Sequence, residues 1–170
     1  PAAFHDIHKG FIRAVDSRSG DAMDQSGTTA TVMLVKSDAV IVASLGDSRA
    51  VLATRSNGML DGIQLTKDHT AADPEEKQSV EEKGGFVAIR NGMARVNGSL
   101  VVTRSIGDQG LSSFLSQTPD VFPFSRKELL ARCGDLNEDK VVPCFIILAS
   151  DGLWDTVNNK EAVQMVEEVV

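Results

Sequence analysis

The run Phe145-Ile146-Ile147-Leu148-Ala149 stops abruptly at Ser150-Asp151-Gly152, and this junction constrains the fold more than any other stretch. Five consecutive apolar residues, several of them β-branched or aromatic, predict a short strand buried on both faces. The carboxylate of Asp151 then stands where a core strand leaves the core, and Gly152 permits the bend that follows. A charge held against a low-dielectric core is costly unless a cation, backbone N–H groups or a metal meets it. Asp155 comes four residues later, so a helical coil here puts both carboxylates on one side. Two readings stand. The pair supplies oxygen donors to a hard divalent ion such as Mg²⁺ or Mn²⁺, or Asp151 caps a turn and Trp154 anchors it in the core.

The remainder of the 170 residues sets limits on that choice. The length fits a single domain over residues 1–170, long enough to bury a core. A net charge of −7 argues against nucleic acid or an anionic membrane as partner. No apolar run approaches the length of a membrane span, and no charged-then-apolar leader opens the chain. Cys133 and Cys144 are too few for a disulfide framework. Cys144 abuts the apolar run and is expected to be a small core residue. The expected setting is intracellular and reducing, cytoplasmic or nuclear, with the protein a monomer.

Taken in order, Phe4, Ile7, Phe11 and Val15 recur at helical spacing and predict an amphipathic helix over residues 2–16. His5 and His8 lie one turn apart on it, either facing solvent or sharing a metal, with no third ligand nearby. Residues 16–25 are polar and form a loop. Thr28–Val35 and Ala39–Leu45, joined by Lys-Ser-Asp, predict a hairpin, and Ala50–Ala53 a third short strand. Asp47 falls at the tight turn between. There it is either an Asx-type turn neutralised by Arg49 or a second carboxylate presented at a sheet end.

Residues 54–62 are expected to be a polar loop, with Gln64–Thr66 a brief strand and His69 a hydrogen-bonding turn residue. Asp73-Pro74-Glu75-Glu76 is a strong helix start, and Gly84-Gly85 its stop, with the charges between them a solvated face. Phe86–Ile89 predicts a strand and Val96–Ser99 a turn, while Leu100–Arg104 fits a strand or a helix start. Residues 109–119 form a loop. Asp120–Phe124 predicts a strand with Pro123 at an edge. Arg126–Arg132 predicts a short helix, and residues 134–140 a polar loop. Asn158 and Glu161 form a capping box for a last helix whose apolar face carries Ala162, Val163, Val166, Val169 and Val170.

Four signals therefore stand in one order: Ser26-Gly27-Thr28-Thr29; Gly46-Asp47-Ser48-Arg49; Gly84-Gly85 with Val96-Asn97-Gly98 and Thr103-Arg104-Ser105-Ile106-Gly107-Asp108; and Ser150-Asp151-Gly152-Leu153-Trp154-Asp155. In that order and spacing, from about Ser26 to Val170, the chain resembles the central part of the metal-dependent serine/threonine protein phosphatases of type 2C. The resemblance implies an α+β fold: a β-sandwich of two packed, mainly antiparallel sheets flanked by α-helices, here incomplete. It implies Mg²⁺ or Mn²⁺, paired in the family, as cofactor, and phosphorylated proteins as substrates. A metal-activated water would hydrolyse phosphoserine or phosphothreonine.

Position by position, the resemblance makes Asp151 a ligand of the metal centre and Asp47 a ligand of a further, weaker site. Asp155 is a neighbouring acid able to join that weaker site. Arg49, Arg104 and Asp108 match architectural positions. The family's early Asp-Gly-His-Gly, with its bridging Asp and its acid His, occurs nowhere in this sequence, and neither does its late Asp-Asn. The resemblance thus places both ends of the family domain outside this chain, and no catalytic group within it. The 170 residues alone are expected to hydrolyse phosphate poorly or not at all. The alternative is a pseudophosphatase, a non-catalytic module that binds a partner protein.

Overall fold

The computed structural model describes residues 1–17, 25–56, 59–133 and 144–169. Its elements open with α1 (Ala2–Asp16), β1 (Gly27–Thr28), β2 (Ala30–Val35), β3 (Ala39–Leu45), β4 (Arg49–Ser56), β5 (Met59–Gln64) and α2 (Pro74–Glu82). They continue with β6 (Val87–Arg90), β7 (Met93–Val96), β8 (Ile106–Gly107), β9 (Asp120–Ser125), α3 (Arg126–Cys133), β10 (Ile146–Ala149), α4 (Asp151–Trp154) and α5 (Asn159–Glu167). Contacts divide the chain into two units. One comprises Pro1–Ala30, Leu45–Asp47 and Asp68–Pro119; the other comprises Thr31–Ser44, Ser48–Lys67 and Asp120–Val170.

The second unit is built around β4. Side chains alternate across a strand, and in β4 both sets are buried. Ala50 and Leu52 join Val40, Val42, Leu65, Leu129 and Cys133, with Met33, Phe122, Phe124 and Ile146 packed around them. Val51 and Ala53 join Leu60, Trp154, Ala162 and Val163 on the opposite face. The first cluster lies between two three-stranded sheets, β2-β3-β9 and β10-β4-β5, with α3 packed into it. The second lies between the β4 sheet and α4–α5. Pairing is antiparallel in β10 with β4, β4 with β5 and β3 with β9. The expected α+β sandwich of antiparallel sheets with helices outside is what the fold contains.

Several expectations change. The strand buried on both faces is β4, whereas β10 is only half-buried and Leu148 is 38% exposed. A continuous apolar run cannot reveal whether its strand lies at the centre or the edge of a sheet. The described residues of the expected loop 54–62 are strand: β4 runs on to Ser56 and β5 returns from Met59, with Ala53 opposite Gly62. Gly62 serves close packing here, since a Cβ on it would lie 2.5 Å from the Asn159 carbonyl oxygen. Cys144 is exposed and forms a disulfide with the buried Cys133, their Cα atoms 5.4 Å apart. Cys144 is thus not the small core residue that was expected.

The first unit holds α1, α2, the β6–β7 hairpin and the β1–β8 pair, in which Gly27 faces Gly107 and Thr28 faces Ile106. Its core is Ala71, Val80, Val96 and Leu115 with Val87, Ala94, Leu100, Leu111 and Phe114. The buried face of α1 is rotated from expectation, for Ile7 is 58% exposed while His8, Phe11 and Ile12 are half-buried and Val15 is buried. Asp73 caps α2 by accepting from the N–H groups of Glu75 and Glu76, and Gly84 ends it at φ +82°. Leu100–Arg104 is not helical; Leu100, Val102 and Arg104 make isolated bridges to Val96, Thr70 and Ser116. The expected loop at 16–25 and the polar loop at 134–140 lie mostly or wholly outside the described residues, as does Val170. Among the described residues no helix is long and apolar enough to cross a membrane.

Candidate functional site

Asp47 sits at the turn between β3 and β4, and its neighbour Gly46 adopts φ +97°, a conformation that disfavours any side chain. A Cβ on Gly46 would lie 2.3 Å from Thr29 Cγ2 and 3.3 Å from the Arg104 carbonyl oxygen. The turn is therefore wedged between Ser26–Thr29 and Thr103–Asp108. These two segments are themselves joined by the β1–β8 pair and by the Asp108 N–H donating to the Ser26 carbonyl at 2.8 Å. Parts of three of the four sequence signals, Ser26–Thr29, Gly46-Asp47 and Thr103–Asp108, thus meet within the first unit.

His69, fully buried, completes the clamp. The Gly46 N–H donates to His69 Nδ1 at 3.1 Å, and the His69 N–H donates to the Gly46 carbonyl at 3.0 Å. An Nδ1 that accepts puts the ring proton on Nε2. The Thr103 N–H donates to the His69 carbonyl at 3.0 Å, which ties the turn to the third signal.

Asp151 and Asp155 occupy the second unit. Asp151 is the first residue of α4, and Asp155, its C-cap, donates its N–H to the Asp151 carbonyl at 2.8 Å. The two carboxylate-bearing residues share one helical turn, as their spacing predicted, and both are exposed. Trp154 is buried and its Nε1 donates to the Ala149 carbonyl at 2.8 Å, so it anchors the turn as expected, but Asp151 is not the cap: the N-cap position is Ser150. The Ser150 side chain makes no cap bond.

Sequence reasoning missed Glu76. Expected on a solvated face, it is 4% exposed. Thr103 Oγ1 donates to its Oε2 at 2.6 Å, and Arg104 Nε donates at 3.1 Å. Arg104 Nη1 also donates to the Thr118 carbonyl at 3.0 Å. Burial pushes the Glu76 carboxyl up, but the bonds from Arg104 and Thr103 and the Arg104 charge hold it below its ordinary value. The charged nine-residue helix hid one inward carboxylate, and only the Thr103-Arg104 pair hinted at its partner.

His5 and His8 are half-buried and hydrogen-bonded instead of solvent-facing. His5 Nε2 lies 3.3 Å from Thr118 Oγ1, and the Gly107 N–H donates to His8 Nδ1 at 3.2 Å. Burial, then the neighbouring His5, lowers the pKa of His8.

The donors that the sequence offers are carboxylates, the right type for Mg²⁺ or Mn²⁺. Their number falls short: among the described residues no three His, Cys, Asp or Glu side chains gather closely enough to hold an ion. The residues present do not complete a dinuclear centre.

The family model for "Protein phosphatase 2C" matches residues 5–170. The chain belongs to the protein phosphatase 2C family. It is 34% identical over 169 residues to "Probable protein phosphatase 2C 59" of Arabidopsis thaliana, covering 98% of this chain and 47% of that one. It is 37% identical over 147 residues to "Protein phosphatase 1L" of Bos taurus, covering 85% and 36%. The chain spans about half the length of such protein phosphatase 2C relatives. Its fold is similar to that of a serine-threonine phosphatase 2C from Toxoplasma gondii, with TM-score 0.78 at 22% identity over 97% of this chain and 53% of that one. It is also similar to a C. elegans sex determining protein, with TM-score 0.76 at 25% identity over 97% and 36%.

Proposed function

We propose that this chain is the central portion of one metal-dependent phosphatase domain that removes phosphate from phosphoserine and phosphothreonine in proteins. The observation that carries the reading is the meeting of Ser26–Thr29, Gly46-Asp47 and Thr103–Asp108 around one glycine turn. Such a wedge fixes the backbone of the turn that carries Asp47, and a rigid backbone is one requirement for a cation ligand. Asp151 is the proposed ligand of the main centre, and Asp47 and Asp155 are each proposed as further cation ligands. When bound, Mg²⁺ or Mn²⁺ supplies charge neutralisation and a water of lowered pKa. The protein's part is to aim oxygen donors at fixed points.

The test is a chimera in which residues 5–170 replace the corresponding segment of a protein phosphatase 2C relative. Mn²⁺-dependent turnover of a phosphothreonine peptide is expected. Asp151→Asn should cut it by about a hundredfold or more, beyond what loss of a residue that only orients a ligand causes. The 170 residues alone should stay near background, because an incomplete ligand set cannot retain the ions. The lack of a three-ligand cluster among the described residues favours a second reading, a pseudophosphatase that binds a partner protein. A folded but inert chimera would support it and refute the first.

A further inference from the structure

We infer that the outward face of the β6–β7 hairpin is a docking surface for an acidic peptide segment of a partner protein, with Arg90 and Arg95 as its anion-binding groups and Phe86 and Met93 as its apolar flank. Val87 faces Val96 and Ile89 faces Ala94 across the hairpin. Val87, Ala94 and Val96 turn that face into the core of the first unit. Side chains alternate along a strand, so Arg90, opposite Met93, and Arg95, opposite Ala88, share the other face. The bonds between Phe86 and Asn97 carry the ladder one step further and put Phe86 there too. The inference goes beyond the phosphatase reading and uses no cation and none of the proposed ligands.

Both guanidinium groups return to one turn. A Cβ on Gly98 would lie 2.8 Å from Arg90 Nε and 3.2 Å from its Cζ, so the Arg90 head lies over Gly98. Arg95 Nη1 donates to the Ser99 carbonyl at 2.6 Å, which leaves most of its five donors open. Among the described residues neither arginine forms an ion pair with a carboxylate. Like charges gathered on one strand face repel each other, and an anion beside them removes that cost. The net charge of −7 works against nucleic acid and anionic membrane as the occupant, whereas a short peptide answers to the local patch within a Debye length. Phe86 is 57% and Met93 47% exposed, and they offer an apolar side chain a seat beside the acids. An arginine fork grips a carboxylate through two parallel bonds. The fitting segment therefore carries acidic residues on both sides of an apolar one.

The experiment titrates the 170-residue chain with the end-blocked peptide Gly-Glu-Leu-Asp-Glu-Gly and follows the backbone amides by NMR. The neutral counterpart Gly-Gln-Leu-Asn-Gln-Gly, inorganic phosphate and a short RNA serve as competing probes. The acidic peptide should shift the amides of residues 86–99 and leave those of α5 in place. The neutral peptide should shift neither. Added salt should weaken the acidic peptide, since both partners are exposed.

Arg90 is exposed, so its variants test binding and not folding. Arg90→Ala should raise the midpoint for the acidic peptide about fivefold, the upper end of what an exposed charge pair contributes. Arg90→Lys should recover only part of the loss, because it keeps the charge without the fork. Arg95→Ala should weaken binding too, but it also removes the bond to Ser99, so Arg90 decides if that variant does not fold. Amides 86–99 that stay still with the acidic peptide would overturn the inference. So would an unchanged midpoint in Arg90→Ala, or equal shifts from the neutral peptide. Phosphate that matches the peptide's midpoint would reduce the surface to an anion site and overturn the peptide reading. RNA that binds this face more tightly than the peptide would overturn the choice of partner.

Discussion

The two turns that carry the proposed ligands are built in opposite ways. The Asp47 turn is held chiefly by residues far off in sequence: His69, 23 positions from Gly46, accepts from the Gly46 N–H, and Thr31, 17 positions from Ser48, donates to the Ser48 carbonyl, with Ser44 the one nearby donor among the described bonds. The Ser150–Asp155 turn is held by its own neighbours, through Leu153 N–H to the Ser150 carbonyl, Asp155 N–H to the Asp151 carbonyl, and Trp154 Nε1 to the Ala149 carbonyl. One depends on several strands arriving together, the other mainly on one indole finding its pocket. Asp47 should therefore be displaced by lesions distant in sequence, and Asp151 by lesions close to it.

The largest expected effect tests the local turn. Trp154 is 7% exposed and packs with Val51, Ala53, Leu60 and Val163. Trp154→Ala should cost about 3–5 kcal/mol in urea denaturation, as truncation of a buried large aromatic does. Trp154→Phe should lose less, chiefly the bond to Ala149, about 1 kcal/mol. If the Ala variant disturbs the Gly46 amide before those of α4, the contrast between the turns is wrong.

Next comes the distant brace. Glu76→Ala leaves the half-buried Arg104 without its carboxylate and should cost about 3 kcal/mol. The pH dependence has a definite sign. The carboxyl of Glu76 is held below its ordinary value, so its contribution is full above the ordinary glutamate pKa and is lost as pH falls through the lowered one. The stability gap between wild type and Glu76→Gln should therefore narrow on acidification below the usual carboxylate range. A gap that widens on acidification would refute the assignment.

How much of this was legible beforehand follows the same division. Local signals read well: the Asp73 and Asn158 caps, the glycine stop at Gly84, the β2–β3 link and the Asp151–Asp155 spacing are all present. What failed needed knowledge of neighbours. Residues 54–62 read as a polar loop because nothing nearby announces that the backbone of Asn159 packs against Gly62. Glu76 looked solvated because its partners lie 27 and 28 residues on. The clamp on Asp47 was visible only as motif order, since no local pattern says that His69 returns to Gly46.

A smaller effect concerns the clasp between α3 and the start of β10. Cys144→Ser should lower stability by about 2 kcal/mol under oxidising conditions, in line with a short closed loop. Reductant should lower wild type to the same level and leave the variant unchanged. Reductant that destabilises the variant equally would show that the bond is not the cause.

The smallest effect probes the most local device of all. Asn158 accepts from the Glu161 N–H at 3.0 Å, and Glu161 Oε2 accepts from the Asn158 N–H at 3.1 Å. Asn158→Ala should cost about 1 kcal/mol, and Asn158→Asp or Asn158→Ser should recover most of it, because each retains an oxygen that can accept at the N-cap. The loss should register as faster amide exchange in the first turn of α5, with Gly46 unaffected. The cap acts on residues three positions away, so a change that spread to Gly46 would mean the two turns share a cooperative unit and the division by reach in sequence does not hold.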